Sequence, residues 1–223
     1  WRPNQQLRTE ISALQLDNDE DNDYARWSGV FEAKEDFPLQ MGISNYTANL
    51  TANYYEMHSQ SSGASTKLGT VAKASPSATL GWRIPVAVTG FGRSAIIQPR
   101  AQVTYVGGND RTADIPNRDA AEYRIDEANL FLTHRYQGKD YILPGTRADL
   151  GIAAAANDNT FGNVAGFVGI SRRLSGKPSA GLNTNQDDTY SDYVASLAMT
   201  PLGLFDIRWS GRMSSHDFTL NEA

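Results

Sequence analysis

The chain has 223 residues and a formal charge of −5, from 20 lysines and arginines against 25 aspartates and glutamates. Its hydrophobic fraction of 40% is too high for a disordered chain, and its acidic balance argues against nucleic-acid binding, which needs clustered cations. The absence of cysteine excludes disulfide scaffolds, zinc fingers and thiol catalysis within this chain. No apolar run approaches the roughly 18 residues of a membrane-spanning helix.

Apolar residues recur at every second position over stretches of about ten residues, which is the pattern of β-strands. We assign no faces to 163–173, where the alternation is not clean. The nine candidate strands, in chain order, are 6–16, 24–35, 40–57, 77–88, 94–106, 146–156, 163–173, 190–200 and 204–214.

The first connection, 17–23, reads DNDEDND and offers a carboxylate at every second position. A calcium-binding EF-hand loop needs glycine at its sixth position and glutamate at its twelfth, where this chain has Asn22 and Ser28. We therefore interpret it as a solvated acidic hairpin loop. The three histidines, His58, His134 and His216, show no paired ligand spacing, and no nucleophile motif occurs. The sequence predicts no metal site, no cofactor, no catalytic residue and no enzyme.

The stretch 40–57 has the clearest alternation. Its two faces are Tyr46, Ala48, Leu50, Ala52 and Tyr54 on one side, and Asn45, Thr47, Asn49, Thr51 and Asn53 on the other. Two tyrosines eight residues apart on a tilted strand lie roughly 20 Å apart, close to the spacing of two aromatic girdles around a hydrocarbon band. We predict that the Tyr/Leu/Ala face contacts lipid and the asparagine face lines a lumen.

The connections alternate between long and short, as in a membrane barrel with tight turns at one end and long loops at the other. The long ones are 17–23, 58–76, 107–145 and 174–189, which we expect to face outward. The short ones are 36–39, 89–93, 157–162 and 201–203. Connection 107–145 is rich in apolar residues, so we predict that it is ordered and folds back over or into the barrel mouth.

Bacterial single-chain barrels have even strand numbers, and an open sheet would leave unpaired backbone groups in lipid. Nine strands therefore predict an all-β, antiparallel transmembrane β-barrel segment, a meander of about nine or ten strands of a larger barrel. Residues 1–223 would form part of one outer-membrane β-barrel domain. The chain opens at Trp1 without a methionine or a signal peptide, so we interpret it as a processed or excised piece.

Four arginines fall on the polar faces of three predicted strands: Arg100, Arg147, Arg208 and Arg212. They could form a basic lining, a substrate path for an anionic passenger, because guanidinium binds phosphate and carboxylate bidentately. Alternatively, they pair internally with neighbours such as Asp149 and Asp206 and keep a polar lumen neutral. The sequence favours internal pairing.

Several short motifs occur in a fixed order along the chain. Within 115–152 they contain Ile115, Pro116, Asn117, Asp126, Asn129, Leu130, Phe131, Arg135, Gly138, Asp140, Gly145 and Thr146. Further pieces lie at 82–85, 98–102, 169–174, 191–194 and 200–201. Together they resemble the C-terminal barrel region of the LptD (OstA) family, lipopolysaccharide-assembly proteins of the Gram-negative outer membrane. The resemblance covers about 80–213, and 1–75 shows only the barrel-like alternation.

The resemblance implies a translocon that delivers lipopolysaccharide to the outer leaflet of the cell outer membrane. It implies four partners: lipopolysaccharide, an LptE-type plug lipoprotein seated inside the barrel, periplasmic lipopolysaccharide bridge proteins and membrane lipid. The family's periplasmic N-terminal domain is absent from this sequence. Without the resemblance, the residues indicate an outer-membrane channel, porin-like or substrate-specific, and a soluble β-sandwich also remains open.

Overall fold

The computed structural model shows an all-β protein. It describes residues 4–16, 23–57, 69–90, 93–108, 115, 125–135, 138–142, 144–158, 162–176, 190–201, 205–215 and 219–222. The strands are β1 (Gln5–Leu16), β2 (Tyr24–Leu39), β3 (Gly42–Met57), β4 (Gly69–Arg83), β5 (Val86–Gly90), β6 (Arg93–Val106), β7 (Gly145–Asp158), β8 (Gly162–Ser175), β9 (Tyr193–Thr200), β10 (Ile207–Met213) and β11 (Leu220–Glu222). Among these residues, no helix is long and apolar enough to cross a membrane.

The strands form one antiparallel meander. Its order is β1-β2-β3-β4-β6-β7-β8-β9-β10-β11, and the short β5 pairs with β6 beside β4. Over the described ranges β1 pairs only with β2 and β11 only with β10, so the sheet has two edges. Since a membrane sheet must close to satisfy its edge groups, an open ten-strand meander is consistent with part of a larger barrel. The predicted fold class is confirmed.

The predicted strand 77–88 has the wrong boundaries. β4 begins at Gly69 and ends at Arg83, and β5 then continues along β6 in the same register. The break falls at Ile84 and Pro85, because proline has no N–H for the sheet ladder, while the Ile84 amide donates to the Pro99 carbonyl over 3.1 Å. The start was missed because Pro76 and small polar residues obscure the alternation in 69–76.

Other boundaries also differ from the prediction. β2 extends to Leu39, and β9 begins only at Tyr193, because Tyr190 makes no more than an isolated bridge to Arg172. β10 begins at Ile207, and the short β11 was not predicted at all. The described residues therefore form eleven strands, where the sequence predicted about nine or ten.

The two ends of the sheet differ as predicted. Short connections at 40–41, 91–92 and 159–161 close the hairpins at one end, whereas 107–144 and 176–192 join strands at the other. The β2–β3 turn requires glycine at position 42, whose φ is 96°, and an added Cβ would collide with the Arg83 carbonyl. We call these ends the short-turn end and the long-loop end.

The faces of β3 divide as the alternation predicted. Leu50 is 46% exposed and Tyr46 and Tyr54 are also exposed, whereas Asn49 is 9% exposed and Asn53 is buried. Opposite residues in antiparallel strands share a face, so the pairings extend both faces across the sheet. We call the face that carries the buried asparagines the inner face and the opposite one the outer face.

The outer face is apolar across the sheet. Its exposed large side chains include Leu7, Ile11, Trp27, Phe31, Leu50, Leu80, Val103, Leu150, Ile152, Val168, Leu197 and Trp209. A sheet surrounded by water would not expose a continuous band of this kind, whereas the lipid-facing side of a membrane barrel requires it.

The apolar core lies between the inner face and the β6–β7 connection. One buried cluster joins Ile115 of that connection to Tyr24, Tyr55, Met57 and Val71 of β2–β4. A second cluster is formed by Ile125, Leu130, Phe167 and Val194, with Phe131 and Ala153 packed against it. Both clusters need residues from the connection, so it is an integral part of the fold.

Candidate functional site

Two described stretches of the β6–β7 connection, 125–135 and 138–142, lie on the inner face. We call these two stretches the plug segment. Its first turn is held by reciprocal hydrogen bonds between Asp126 and Asn129. Each side chain accepts the other residue's backbone N–H over 2.9 Å. The Leu130 amide also donates to the Asp126 carbonyl over 3.0 Å. These two motif residues therefore shape the turn that presents Leu130 and Phe131 to the sheet.

Leu130 is fully buried in the second cluster, and the Phe131 ring meets Phe167 edge-on at 6.3 Å. The Phe131 carbonyl accepts a 2.9 Å bond from the Gln102 amide group on β6. The prediction that 107–145 is ordered and folds back is confirmed for its described residues. Tyr123, Tyr136 and Leu143 lie outside the described residues, as do the predicted motif residues Pro116 and Asn117.

A first ionic anchor attaches the plug segment to β7 and β8. Arg135 donates to the Asp149 carboxylate over 2.7 Å, to the Ser171 hydroxyl over 2.9 Å and to the Leu130 carbonyl over 3.0 Å. Asp149 is fully buried and also accepts from Ser171 over 2.6 Å and from Arg147 over 3.2 Å. Burying a carboxylate is costly, and only such dense charge-assisted bonding offsets the cost.

A second anchor attaches the plug segment to β2, β3 and β4, and in this anchor the plug carries the negative charge and the sheet the positive one. Here Asp140 supplies the carboxylate, which accepts bonds from Arg26 over 2.5 Å, Tyr24 over 3.0 Å and Tyr55 over 3.1 Å. The Lys73 ammonium donates to the Asp140 backbone carbonyl over 3.4 Å. Asp140 is fully buried, and all four of its partners are buried.

The neighbouring Lys139 attaches the same end of the plug segment to β1. Its ammonium group donates to the Glu10 carboxylate and to the Ser12 hydroxyl, each over 2.7 Å. Only five positions separate Arg135 from Asp140, so this short stretch connects β7–β8 to β1–β4 across the inner face.

A cavity lies between the plug segment and the inner face. Its charged lining consists of Arg8, Glu10, Glu32, His134, Arg135, Lys139, Arg147 and Arg173. Five of these carry permanent positive charge and two carry negative charge, although the whole chain has a formal charge of −5. Burial lowers the pKa of His134, and the nearby Arg147 cation lowers it further, so the imidazole is held neutral. The cavity is thus a basic region within an acidic protein.

A protein-family model described as LptD: LPS transport system D matches residues 2–223. The chain belongs to the LptD family. Membership assigns it to lipopolysaccharide transport and assembly and confirms the resemblance seen in the motifs. The match also includes 2–79, where the sequence motifs offered no specific signal. No curated protein matches the chain.

The motif residues that the LptD resemblance singled out have structural roles in the plug. Asp126 and Asn129 form its turn, and Arg135 and Asp140 are its two ionic anchors. Leu130 and Phe131 supply its apolar contacts, whereas Ile115 precedes the plug segment and packs in the other buried cluster. Gly138, with φ of 75°, lies between the anchors, and Gly145 and Thr146 begin β7 beside the cavity.

The four predicted path arginines are not brought together. Arg147 lines the cavity, where it binds Asp149 and the carbonyls of Leu132 and Thr133. Arg100 places its guanidinium 4.5 Å from the centre of the Phe131 ring. Arg208 and Arg212 lie on β10, in register with Ala198 and Val194, and neither they nor Arg100 belong to the described cavity lining.

The pairing of Arg147 with Asp149 matches the internal-pairing interpretation. Asp206 accepts a hydrogen bond from Thr200 over 2.8 Å.

Sequence reasoning missed the residues that receive the plug. Alternation places Tyr24, Arg26 and Tyr55 on one face of the sheet, but it does not indicate that they meet Asp140, up to 116 positions away. Lys139 was passed over because it is a single charge between two motif residues. Even the motif match to Asp140 carried no information about its partners.

Proposed function

We propose that this LptD-family chain forms part of the outer-membrane translocon that delivers lipopolysaccharide to the outer leaflet. The observation that carries the proposal is the contrast between the two faces of the sheet. The outer face is apolar and suits lipid, whereas the inner face is polar and carries the basic cavity. Lipopolysaccharide presents phosphates and acidic sugars, so its passage requires a polar, cationic lumen.

Family membership supports a proposal about the partners. We propose that an LptE-type plug lipoprotein sits within the completed barrel and that periplasmic bridge proteins supply the lipopolysaccharide. The apolar outer face would contact membrane lipid directly. Residues 1–223 would then form part of a single barrel domain of the Gram-negative outer membrane.

The inner-face arginines would form an interrupted path for the passenger. Arg147 is shared between Asp149 and plug carbonyls, and Arg100 stacks on the Phe131 ring, so both guanidinium groups are already engaged. Arg208 and Arg212 would meet the passenger farther along the sheet. Partly compensated cations bind phosphate weakly, which permits release, whereas a deep uncompensated cluster would retain it.

Photocrosslinking in living cells tests this function. A photoreactive residue is placed at position 100, 147, 208 or 212 on the inner face, and at position 207 or 209 on the outer face as the matched control. We expect lipopolysaccharide adducts from the inner positions and none from the outer ones. Absence of adducts at all inner positions while transport continues would contradict the arginine path. Ion conductance without any lipopolysaccharide adduct would favour a porin-like channel.

A further inference from the structure

The partners of Asp140 form a donor cradle built entirely from the sheet. Tyr24 and Arg26 lie on β2, Tyr55 is in register with Arg26 on β3, and Lys73 lies on β4. All four side chains are buried on the inner face. Two cations and two hydroxyl groups therefore converge on the position of Asp140. We call Tyr24, Arg26, Tyr55 and Lys73 the anion cradle.

The occupant of the cradle comes from a different part of the chain. Asp140 lies at the far end of the plug segment and crosses from β7–β8 to reach the cradle. A sheet that needed only to neutralise Arg26 could have placed a carboxylate on a nearby strand, as Asp36 of β2 does for Arg83 of β4 over 3.2 Å. The cradle is thus a rigid anion-binding site whose ligand is carried on a separate segment.

The chemistry of the cradle suits phosphate at least as well as carboxylate. Guanidinium binds phosphate bidentately, and an ammonium group and two hydroxyls can donate to its remaining oxygens. A phosphate monoester carries up to two negative charges and three acceptor oxygens, against one charge and two oxygens for Asp140. Arg26 and the two tyrosine hydroxyls already donate to the Asp140 carboxylate, and the Lys73 ammonium, which donates to the Asp140 backbone carbonyl, is a fourth donor beside them.

We propose that the anion cradle is a phosphate-binding site on the transport path, held closed by Asp140 as an internal ligand. A phosphate group of the passing lipopolysaccharide replaces the Asp140 carboxylate and releases the plug segment from β2–β4. This inference rests on the proposed function, and it adds a site and an exchange step to it. The exchange is non-covalent: Arg26 passes from the carboxylate to the phosphate, and Lys73 passes from the Asp140 backbone carbonyl to the phosphate.

The two anchors hold the plug segment to different strands, so the loss of one releases only one side of it. The Arg135 anchor joins the plug segment to β7 and β8, next to its own covalent connection at Gly145. The Asp140 anchor joins it to β2 and β3 and therefore keeps the plug segment across the inner face. Losing Asp140 would also weaken the adjacent Lys139 contacts with Glu10 and Ser12. The plug segment would then separate from β2–β4 while the Arg135 anchor still holds it to β7 and β8.

The first test uses the unmodified full-length protein with its plug lipoprotein in liposomes, so no variant has to fold. Amide hydrogen exchange at 138–142 is measured with purified lipopolysaccharide and with the same lipopolysaccharide after chemical dephosphorylation. We expect faster exchange only with the phosphorylated form. Inorganic phosphate and anionic phospholipid vesicles are separate arms, and a response to either one alone would assign the site to that source and overturn the proposal. Equal exchange with both lipopolysaccharide forms would also overturn it.

The second test places a photocrosslinker at Met57, which packs against Tyr24 and Tyr55. Asp140→Asn removes the competing charge, so adducts with lipopolysaccharide should rise by about tenfold, the equivalent of one charge-assisted hydrogen bond. Lys73→Gln should lower them. Asp36→Asn breaks a half-exposed ion pair near the short-turn end of β2 and should leave them unchanged.

The outcomes separate this inference from the proposed function. Absence of adducts at both 57 and 147 would contradict lipopolysaccharide passage itself. Adducts at 147, together with a signal at 57 that is insensitive to Asp140→Asn and to dephosphorylation, would leave the function standing and make the cradle a structural clasp only.

Discussion

Asp149 is the buried carboxylate that receives the Arg135 anchor of the plug segment. It accepts bonds from Arg135, Arg147 and Ser171, and it is fully buried. A buried ion pair contributes little net stability compared with an apolar replacement, but removal of one partner leaves the other charge without compensation. The loss in unfolding free energy when one partner is removed therefore reports how well the pair is shielded from water.

Replacement of Asp149 by asparagine should destabilise the protein by about 3–5 kcal/mol, because Arg135 would remain buried without its carboxylate. The matched control is Asp36→Asn, whose partner Arg83 is partly exposed and should cost at most about 1 kcal/mol. The measurement is chemical unfolding of the detergent-solubilised or liposome-reconstituted protein. A cost for Asp149→Asn no larger than that of the control would contradict the buried anchor.

His134 predicts a pH dependence of plug attachment. Burial and Arg147 lower its pKa below the ordinary value of 6.5. The unfolded or detached state therefore binds more protons, so the stabilisation is fully present above pH 6.5 and is lost as pH falls through that value towards the lowered pKa. The imidazole lies 3.5 Å from the Ser77 hydroxyl on β4, so detachment would separate these groups.

We expect amide exchange at 132–135 to accelerate between pH 7.5 and 5.5, after correction for the intrinsic pH dependence of exchange. His134→Gln, which keeps a polar side chain without a titrating ring, should abolish the additional acceleration. The same acceleration in both proteins would assign the effect to other groups.

At the scale of the strand, the two faces of β3 predict unequal costs for substitution by arginine. Leu50→Arg would place a charge on the apolar outer face and should cost about 2–4 kcal/mol near the bilayer middle. Asn49→Arg should cost far less, because position 49 lines the cavity and lies in register with Glu32. Both variants are compared by unfolding in lipid vesicles. Equal costs, or the reverse order, would contradict the assignment of faces.

Two glycines of β8 provide a matched test of the plug's packing. A side chain at Gly169 would collide with Leu130 and Phe167 on the inner face, whereas Gly166 has only ordinary contacts at 3.5 Å and beyond. Gly169→Val should therefore displace the plug, and Gly166→Val should be tolerated. The readout is amide exchange at 129–132, and equal protection in both variants would show that the plug does not depend on this contact.

At the scale of the whole molecule, the plug segment joins strands that are remote in the meander. It contacts β1 through Lys139, β2 and β3 through Asp140, and β7 and β8 through Arg135. Neighbouring strands are held by backbone ladders, but the plug adds tertiary contacts across the inner face. The segment that lies across the inner face therefore also links strands that are not neighbours in the sheet.

Trypsin cleaves after lysine and arginine, so Arg135 and Lys139 make the plug segment a natural probe of this arrangement. In the native membrane complex we expect no cleavage after either residue, because both are held in ionic contacts on the inner face. Asp140→Asn should permit cleavage after Lys139, while cleavage after Arg135 stays slow. Rapid proteolysis of the unmodified plug would contradict its seating in the lumen.

The sequence by itself determined the positions of most strands, the faces of those with clean alternation, and the two unlike ends of the sheet. These features follow from period-two alternation and from the spacing of turns, which are local properties of the chain. Alternation therefore placed Leu50 and Asn49 on opposite faces correctly. It failed at β4 and β5. Pro76 interrupts the alternation inside β4, where it pairs with Leu50 of β3. Pro85 separates β4 from β5, although both strands pair with β6 in one register.

Only the tertiary structure decided where the plug attaches. The Asp140 carboxylate and its Arg26 partner are 114 positions apart, and their meeting depends on strand register, sheet curvature and the path of one long connection. No local pattern encodes such a contact, because any inner-face arginine is an equally good partner for a carboxylate until the fold selects one. The same limit applies to the four inner-face arginines, which have the same sequence pattern. The fold brings Arg147 to the cavity and leaves the other three outside its described lining: Arg100, Arg208 and Arg212.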